Sequence, residues 1–191
     1  MAKLYFRYSS MNAGKSLQLL SVAFNYKERS KNVLIFTSDK DNRYGKKVVK
    51  SRIGLKSDAI PISEDMNISD YISDNHTNEK IDCILVDEAQ FLTKEQVIQL
   101  SDLVDFENIP VICYGLRTDF QLEAFLGSIY LLTFADEINE IKTVCHCGKK
   151  ATTNCRVKNG VVVDKGEQIS IGGNESYVPL CRKCFKEGKI I

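Results

Sequence analysis

No apolar run in this chain of 191 residues approaches the roughly 20 needed to cross a bilayer, which excludes an α-helical membrane span. The N-terminus lacks the basic, apolar and small-residue order of a secretion leader, so a cytoplasmic location is the expectation. Internal repeats and low-complexity tracts are absent as well, which argues against solenoids and fibrous arrays. Net charge is almost absent, at +1. With 43% hydrophobic and 27% charged residues, the chain has the composition of a folded protein, long enough for one α/β core and a small appendage.

The little charge there is lies unevenly. From Lys142 to the end there are ten Lys or Arg against four Asp or Glu, so the preceding part is acidic. A basic C-terminal segment suits a polyanion, the phosphates of a small ligand, or simply a solvated face. Seven cysteines is an odd number. Cys83 and Cys113 sit inside apolar strand-like runs and read as buried small hydrophobes in a reducing compartment.

Apolar strand-like segments fall near 3 to 8, 32 to 37, 59 to 62, 81 to 86 and 109 to 114, several separated by stretches of helical spacing. This alternation predicts a mainly parallel sheet flanked by helices. The first helix is expected from about Gly14 to Arg29, and a second from Thr93 to about Asp105, opened by a capping box of Thr93 with Gln96. Residues 38 to 58 are polar, hold two glycines, and read as a long mobile loop. After about Ile141 the pattern turns to short β-like pieces, Gly-rich turns and paired cysteines. The expected division is residues 1–141, a nucleotide-binding domain, and 142–191, a small metal-stapled lobe.

Between the first strand and the first helix stand Ser9, Ser10, Met11, Asn12, Ala13, Gly14, Lys15 and Ser16. They nearly write the phosphate-loop pattern G-x-x-x-x-G-K-[ST], with Ser9 in place of the first glycine. Such a loop surrounds phosphate oxygens with backbone N–H groups at a helix N-terminus, and Lys15 and Ser16 suit the β/γ-phosphates and Mg²⁺. A Cβ at position 9 restricts the backbone if φ there must be positive. A second apolar strand, Ile84-Leu85-Val86, ends in Asp87 and Glu88, the Walker B arrangement. In an open parallel sheet, ligands collect at the C-terminal strand ends, so both motifs should face one crevice. Asp87 is then the candidate for holding Mg²⁺ and Glu88 the candidate general base.

Cys145-His146-Cys147 and Cys181-Arg182-Lys183-Cys184 form a C-x-C and a C-x-x-C pair separated by 33 residues. Four thiolates bind Zn²⁺ tetrahedrally and leave no open position, so the site reads as structural. His146 and Cys155 remain open as alternatives to one thiolate. Gly172-Gly173, between the two pairs, permits a tight turn or a close approach to a ligand.

With these motifs in this order, the chain resembles the type II thymidine kinases, the zinc-containing phosphate-loop class, and specifically their bacterial branch. The resemblance runs through Asp41-Asn42-Arg43, Val86 to Phe91, Tyr114 to Phe120, both cysteine pairs and Ile171 to Glu175. It implies a P-loop, RecA-like α/β fold with a zinc-ribbon-like lobe. The implied activity is transfer of the γ-phosphate of ATP to the 5′-hydroxyl of thymidine, with Glu88 as base. By matching motifs, residues 9 to 16 and Asp87, Glu88, Ala89 and Gln90 contact ATP, while Met11, Phe91, Leu116 and Phe120 line the thymidine pocket. Gln168, Ile169, Ser170, Ile171, Gly172 and Tyr177 map onto a loop that closes over the base. Asp41 and Arg43 match a loop that orders near the active site. The resemblance further implies Zn²⁺ and Mg²⁺ as cofactors, a homotetramer, and feedback inhibition by thymidine triphosphate, with neither nucleic acid nor membrane as partner. A DNA-dependent ATPase would need further motor motifs and a second lobe. A nucleic-acid-binding zinc module would leave Gly14-Lys15-Ser16 and Asp87-Glu88 without a purpose.

Overall fold

A computed structural model of the chain describes residues 1–41, 47–158, 161–163, 165–166, 168 and 176–190. In chain order the elements are β1 (Leu4–Ser9), α1 (Lys15–Lys27), β2 (Val33–Ser38), β3 (Val48–Lys50), β4 (Lys56–Asp58), β5 (Ile60–Ile62), α2 (Ile68–Asn75) and β6 (Cys83–Asp87). A 3-10 turn (Ala89–Phe91) follows, then α3 (Lys94–Asp105), β7 (Val111–Leu116), α4 (Leu126–Phe134) and β8 (Glu137–Glu140). The chain closes with β9 (Thr153–Lys158), β10 (Val161–Val163), β11 (Tyr177–Leu180) and α5 (Arg182–Lys186).

The apolar runs pair as the alternation predicts. A six-stranded sheet has the order β5-β2-β6-β7-β1-β8, and every pairing in it is parallel. A parallel sheet needs cover on both faces, which is why β2 is buried at all six positions. On one face Phe6, Phe36, Ile84, Val86 and Val111 pack with α2, α3 and Leu131 of α4; on the other Ile35, Leu85, Ile112 and Tyr114 meet Leu19, Leu20 and Ala23 of α1. Cys83 and Cys113 are fully buried in this sheet. Among the described residues, no helix is long and apolar enough to cross a membrane.

Local chemistry sets the helix starts. At α3, Thr93 Oγ1 accepts the Gln96 N–H at 3.2 Å and the Thr93 N–H donates to Gln96 Oε1 at 3.1 Å, so the expected capping box forms. At α2, Asn67 Oδ1 accepts the Asp70 N–H.

The segment read as one long loop departs from that expectation. Residues 42–46 lie outside the described set, but β3 and β4 pair antiparallel, with Val49 opposite Ser57. Val49 is buried beside α1, which anchors the hairpin on the sheet's α1 face. Strands of three residues with only Val48 and Val49 apolar carry too little periodicity to be seen in the sequence.

Beyond residue 141 a third cluster gathers Cys145, Ala151, Cys155, Leu180, Cys181 and Cys184 under the antiparallel sheet β10-β9-β11 and α5. It is small, and two thirds of its buried members are cysteines.

Candidate active site

β7 lies between β1 and β6, so the ends of the two motif strands are two strand spacings apart, about 10 Å, on the same edge of the sheet. Ser9 is the last residue of β1 and extended. The positive φ values in the loop fall on Asn12 (66°) and Gly14 (83°) instead. Position 9 therefore needs no glycine, whereas position 14 does. Lys15 is buried, and its Nζ donates to Ser9 Oγ at 3.0 Å and to the Ser10 carbonyl at 3.4 Å.

The acidic pair meets this loop directly. Ser16 Oγ donates to Asp87 Oδ2 at 2.8 Å. Burial, with the neighbouring Glu88 charge, pushes Asp87 up to about 7, against the Ser16 hydroxyl and Lys15, which favour the carboxylate. A carboxylate and a hydroxyl so placed beside the phosphate loop are oxygen donors suited to Mg²⁺, and a cation there would restore Asp87 to its charged form. Glu88 adopts φ 51°, a left-handed conformation that is uncommon outside glycine. It turns the chain out of β6 into the 3-10 turn. Gln90 Nε2 donates to Glu88 Oε2 at 2.6 Å.

A cavity of about 280 Å³ is lined by Met11 to Leu17, Glu88, Leu116 and the hairpin residues Lys50, Ser51, Arg52 and Ile53. The hairpin tip is held in shape by Ser51, which donates its N–H to the Leu55 carbonyl at 2.7 Å. The sequence reading missed these four residues. Their signal was the pair of cations, Lys50 and Arg52, in a polar stretch that was read as loop.

The expected acceptor residues divide. Met11 and Leu116 line the cavity. Phe91 packs edge-on against Phe125 at 5.6 Å, and Phe120 is buried under the Arg156 guanidinium, 3.7 Å from the ring centroid. Tyr177 OH and the Gln168 carbonyl accept from the same guanidinium. Asp41 is described and donates its N–H to the Ser38 carbonyl at 3.3 Å. Arg43, Ile169, Ser170, Ile171 and Gly172 lie outside the described residues. Two further residues escaped the sequence reading: Asn154, whose Oδ1 accepts the Met11 N–H at 2.7 Å, and Arg156 itself.

The sulfurs of Cys145, Cys147, Cys181 and Cys184 all lie within 4.8 Å of one another. His146 instead points Nε2 at the Lys189 carbonyl, and Cys155 lies outside the four-sulfur group. None of the seven cysteines is in a disulfide. The Cys184 amide holds Cys181 down at about 6, while burial and the adjoining sulfurs push Cys184 up to about 12. Four thiols crowded this way cannot all ionise unless a cation sits among them, and the donor set is that of a closed tetrahedral thiolate site.

A family model described as thymidine kinase matches residues 2–185. Over 188 residues the chain is 56% identical to a thymidine kinase of Mannheimia succiniciproducens, covering 98% of this chain and 96% of that one. It is 54% identical over 188 residues to a thymidine kinase of Haemophilus influenzae, covering 98% and 97%. Among solved structures it is similar to the Pif1 helicase from Candida albicans, at 14% identity and a TM-score of 0.44 over 75% of this chain and 36% of that one. That last likeness is too slight to carry an argument.

Proposed function

The chain belongs to the thymidine kinase family and phosphorylates thymidine, and we propose that the cavity between the phosphate loop and Glu88 is where the γ-phosphate of ATP passes to the 5′-hydroxyl. The observation that carries this reading is convergence: Lys15, Ser16 and Glu88 line one cavity, and Ser16 touches Asp87.

In this reading the loop amides at 9 to 16 and the Lys15 ammonium cradle the phosphates. Ser16 and Asp87 are the oxygen donors that would hold Mg²⁺, which when bound would neutralise phosphate charge. Glu88 accepts the proton of the attacking hydroxyl, and Gln90 fixes where its carboxylate points. Lys50 and Arg52 add positive charge to the lining of the same cavity. Met11, Leu116, Phe91, Phe120, Tyr177 and residues 168 to 172 form the acceptor side. Apolar and aromatic walls suit a flat pyrimidine.

The division at about residue 141, Zn²⁺ as the metal of the four-cysteine group, and a cytoplasmic location belong to the same proposal. So do the homotetramer and feedback inhibition by thymidine triphosphate. Leu126, Ile129, Leu132 and Phe134 of α4 are exposed, together with Ile138 of β8, and assembly of identical chains would cover such a face.

Incubation of the purified chain with Mg-ATP tests the function. Thymidine monophosphate should form only when thymidine is present. Phosphate release that responds to DNA and not to thymidine would overturn the assignment in favour of an ATPase.

A further inference from the structure

Along β9 the side chains alternate between two environments, as the period of a strand requires. Cys155 and Val157 belong to the small core beside the four-cysteine group. Asn154 and Arg156 point the other way, onto the phosphate loop and the connection after β7.

Asn154 is almost wholly buried, at 3% exposure, and both ends of its amide are engaged. Oδ1 accepts the Met11 N–H at 2.7 Å, and Nδ2 donates to the Thr118 carbonyl at 3.3 Å. One side chain thus ties the phosphate loop to the connection after β7. Arg156 faces Tyr177 directly across the β9–β11 pairing. Its Nε and Nη2 donate to Tyr177 OH at 3.0 and 2.7 Å, and Nη2 also reaches the Gln168 carbonyl at 3.4 Å. The flat of the guanidinium covers the Phe120 ring, 3.7 Å from its centroid.

We infer that Asn154 and Arg156 are positioning residues of the acceptor pocket, fixing Met11, Phe120, Tyr177 and Gln168 relative to one another from a single strand of the metal-binding lobe. This rests on the acceptor side assigned under the proposed function. The walls come from stretches far apart in sequence, at Met11, at Phe120 and, in the metal-binding lobe, at Gln168 and Tyr177, and a pocket for a small planar base tolerates little play between them. Arginine is required at 156 because one planar group must stack on a ring while two of its nitrogens meet one hydroxyl. Lysine offers a point charge without that fork. The β9 register does the rest. The residue between the two, Cys155, is locked in the lobe core, so a shift of β9 would displace both at once.

The test is steady-state kinetics on the full-length chain, with thymidine and ATP varied separately, for Arg156→Lys, Arg156→Gln, Asn154→Ala, Tyr177→Phe and Arg156→Gln with Tyr177→Phe. Loss of the phenol bonds and the stacking should raise the KM for thymidine about tenfold in Arg156→Lys and Arg156→Gln. In the two Arg156 variants the KM for ATP should change by less than about twofold, since no phosphate contact is removed; Asn154→Ala, which frees the Met11 N–H, should raise the thymidine KM as well. Metal content by elemental analysis should match the parent. The double variant should be no worse than Arg156→Gln alone, because both changes break the same contact. Additive effects, equal rises in both KM values, or a lowered melting temperature with an unchanged thymidine KM would reduce these residues to ordinary lobe packing and overturn the inference. A parent chain without thymidine-dependent transfer would instead defeat the underlying functional reading. An active parent whose variants behave like it would defeat only the positioning role.

Discussion

Gln90 grips Glu88 and the end of β7 together: Nε2 donates to Glu88 Oε2 at 2.6 Å while Oε1 accepts the Leu116 N–H at 3.0 Å. Gln90 is 2% exposed, so neither bond is shared with bulk water. The amide therefore sets the direction of a carboxylate whose own backbone is left-handed. Gln90→Leu keeps the bulk and loses both bonds. Misdirection of the proposed base should lower kcat by about 10²-fold with modest change in either KM. Full kinetics on both substrates checks this, and an unaltered kcat would mean that Glu88 is oriented by something else.

Glu88→Gln removes the proposed proton acceptor and keeps the shape. Transfer to thymidine should slow by roughly 10²–10⁴-fold. Nucleotide binding, measured by titration calorimetry, should survive, because Lys15 and Ser16 are untouched.

Gly127, in the first turn of α4, lies against the backbone of the 3-10 turn. A Cβ there would stand 2.7 Å from the Ala89 carbonyl oxygen and 2.8 Å from those of Gln90 and Leu92. All three are main-chain atoms and cannot swing aside. Gly127→Ala should cost about 1–3 kcal/mol of stability through overpacking. Denaturant titration would show a lower midpoint, and kcat should fall as well, because the turn being pushed carries Gln90.

For the four-cysteine group, elemental analysis of protein prepared without chelator should find one zinc per chain. Cys184→Ser should lose it and melt earlier, since binding of the metal is coupled to folding of a lobe with little other core. Cys155→Ala should keep the metal, as its sulfur lies outside the group.

Alkaline stability should follow the two buried thiols of the sheet. Burial pushes Cys83 up to about 11 and raises Cys113 further. The unfolded chain ionises these thiols first, from about pH 9, so it binds fewer protons than the folded chain and stability falls as pH rises from there. By pH 10 each thiol should account for about 1 kcal/mol of the loss. Urea midpoints at pH 7.5 and 10 measure it. A variant carrying Cys83→Ala and Cys113→Ala, though weaker at neutral pH, should lose less between those values.

Elements whose cause is local were legible in the sequence. Apolar runs in a parallel sheet are buried on both faces and announce themselves, and Thr93 with Gln96 marks a helix start within four residues. The Asp87-Glu88 pair was legible because it ends such a run. The hairpin was not, because its strands are short and its anchoring contact, Val49 on α1, is tertiary. Asn154 and Arg156 escaped for a related reason. Met11 lies 143 residues from Asn154, and no local pattern distinguishes a strand residue that meets a distant loop from one that meets water. At position 9 the sequence raised a question about backbone strain that the structure answers, since the left-handed residues fall later in the loop.

The serine at position 9 gives the loop's lysine a hydroxyl partner beside the Ser10 carbonyl. An ammonium as shielded as that of Lys15 needs a companion at every moment, and the Ser9 hydroxyl is one that a phosphate oxygen can displace without leaving a charge stranded. A glycine there would remove the hydroxyl and leave the Ser10 carbonyl.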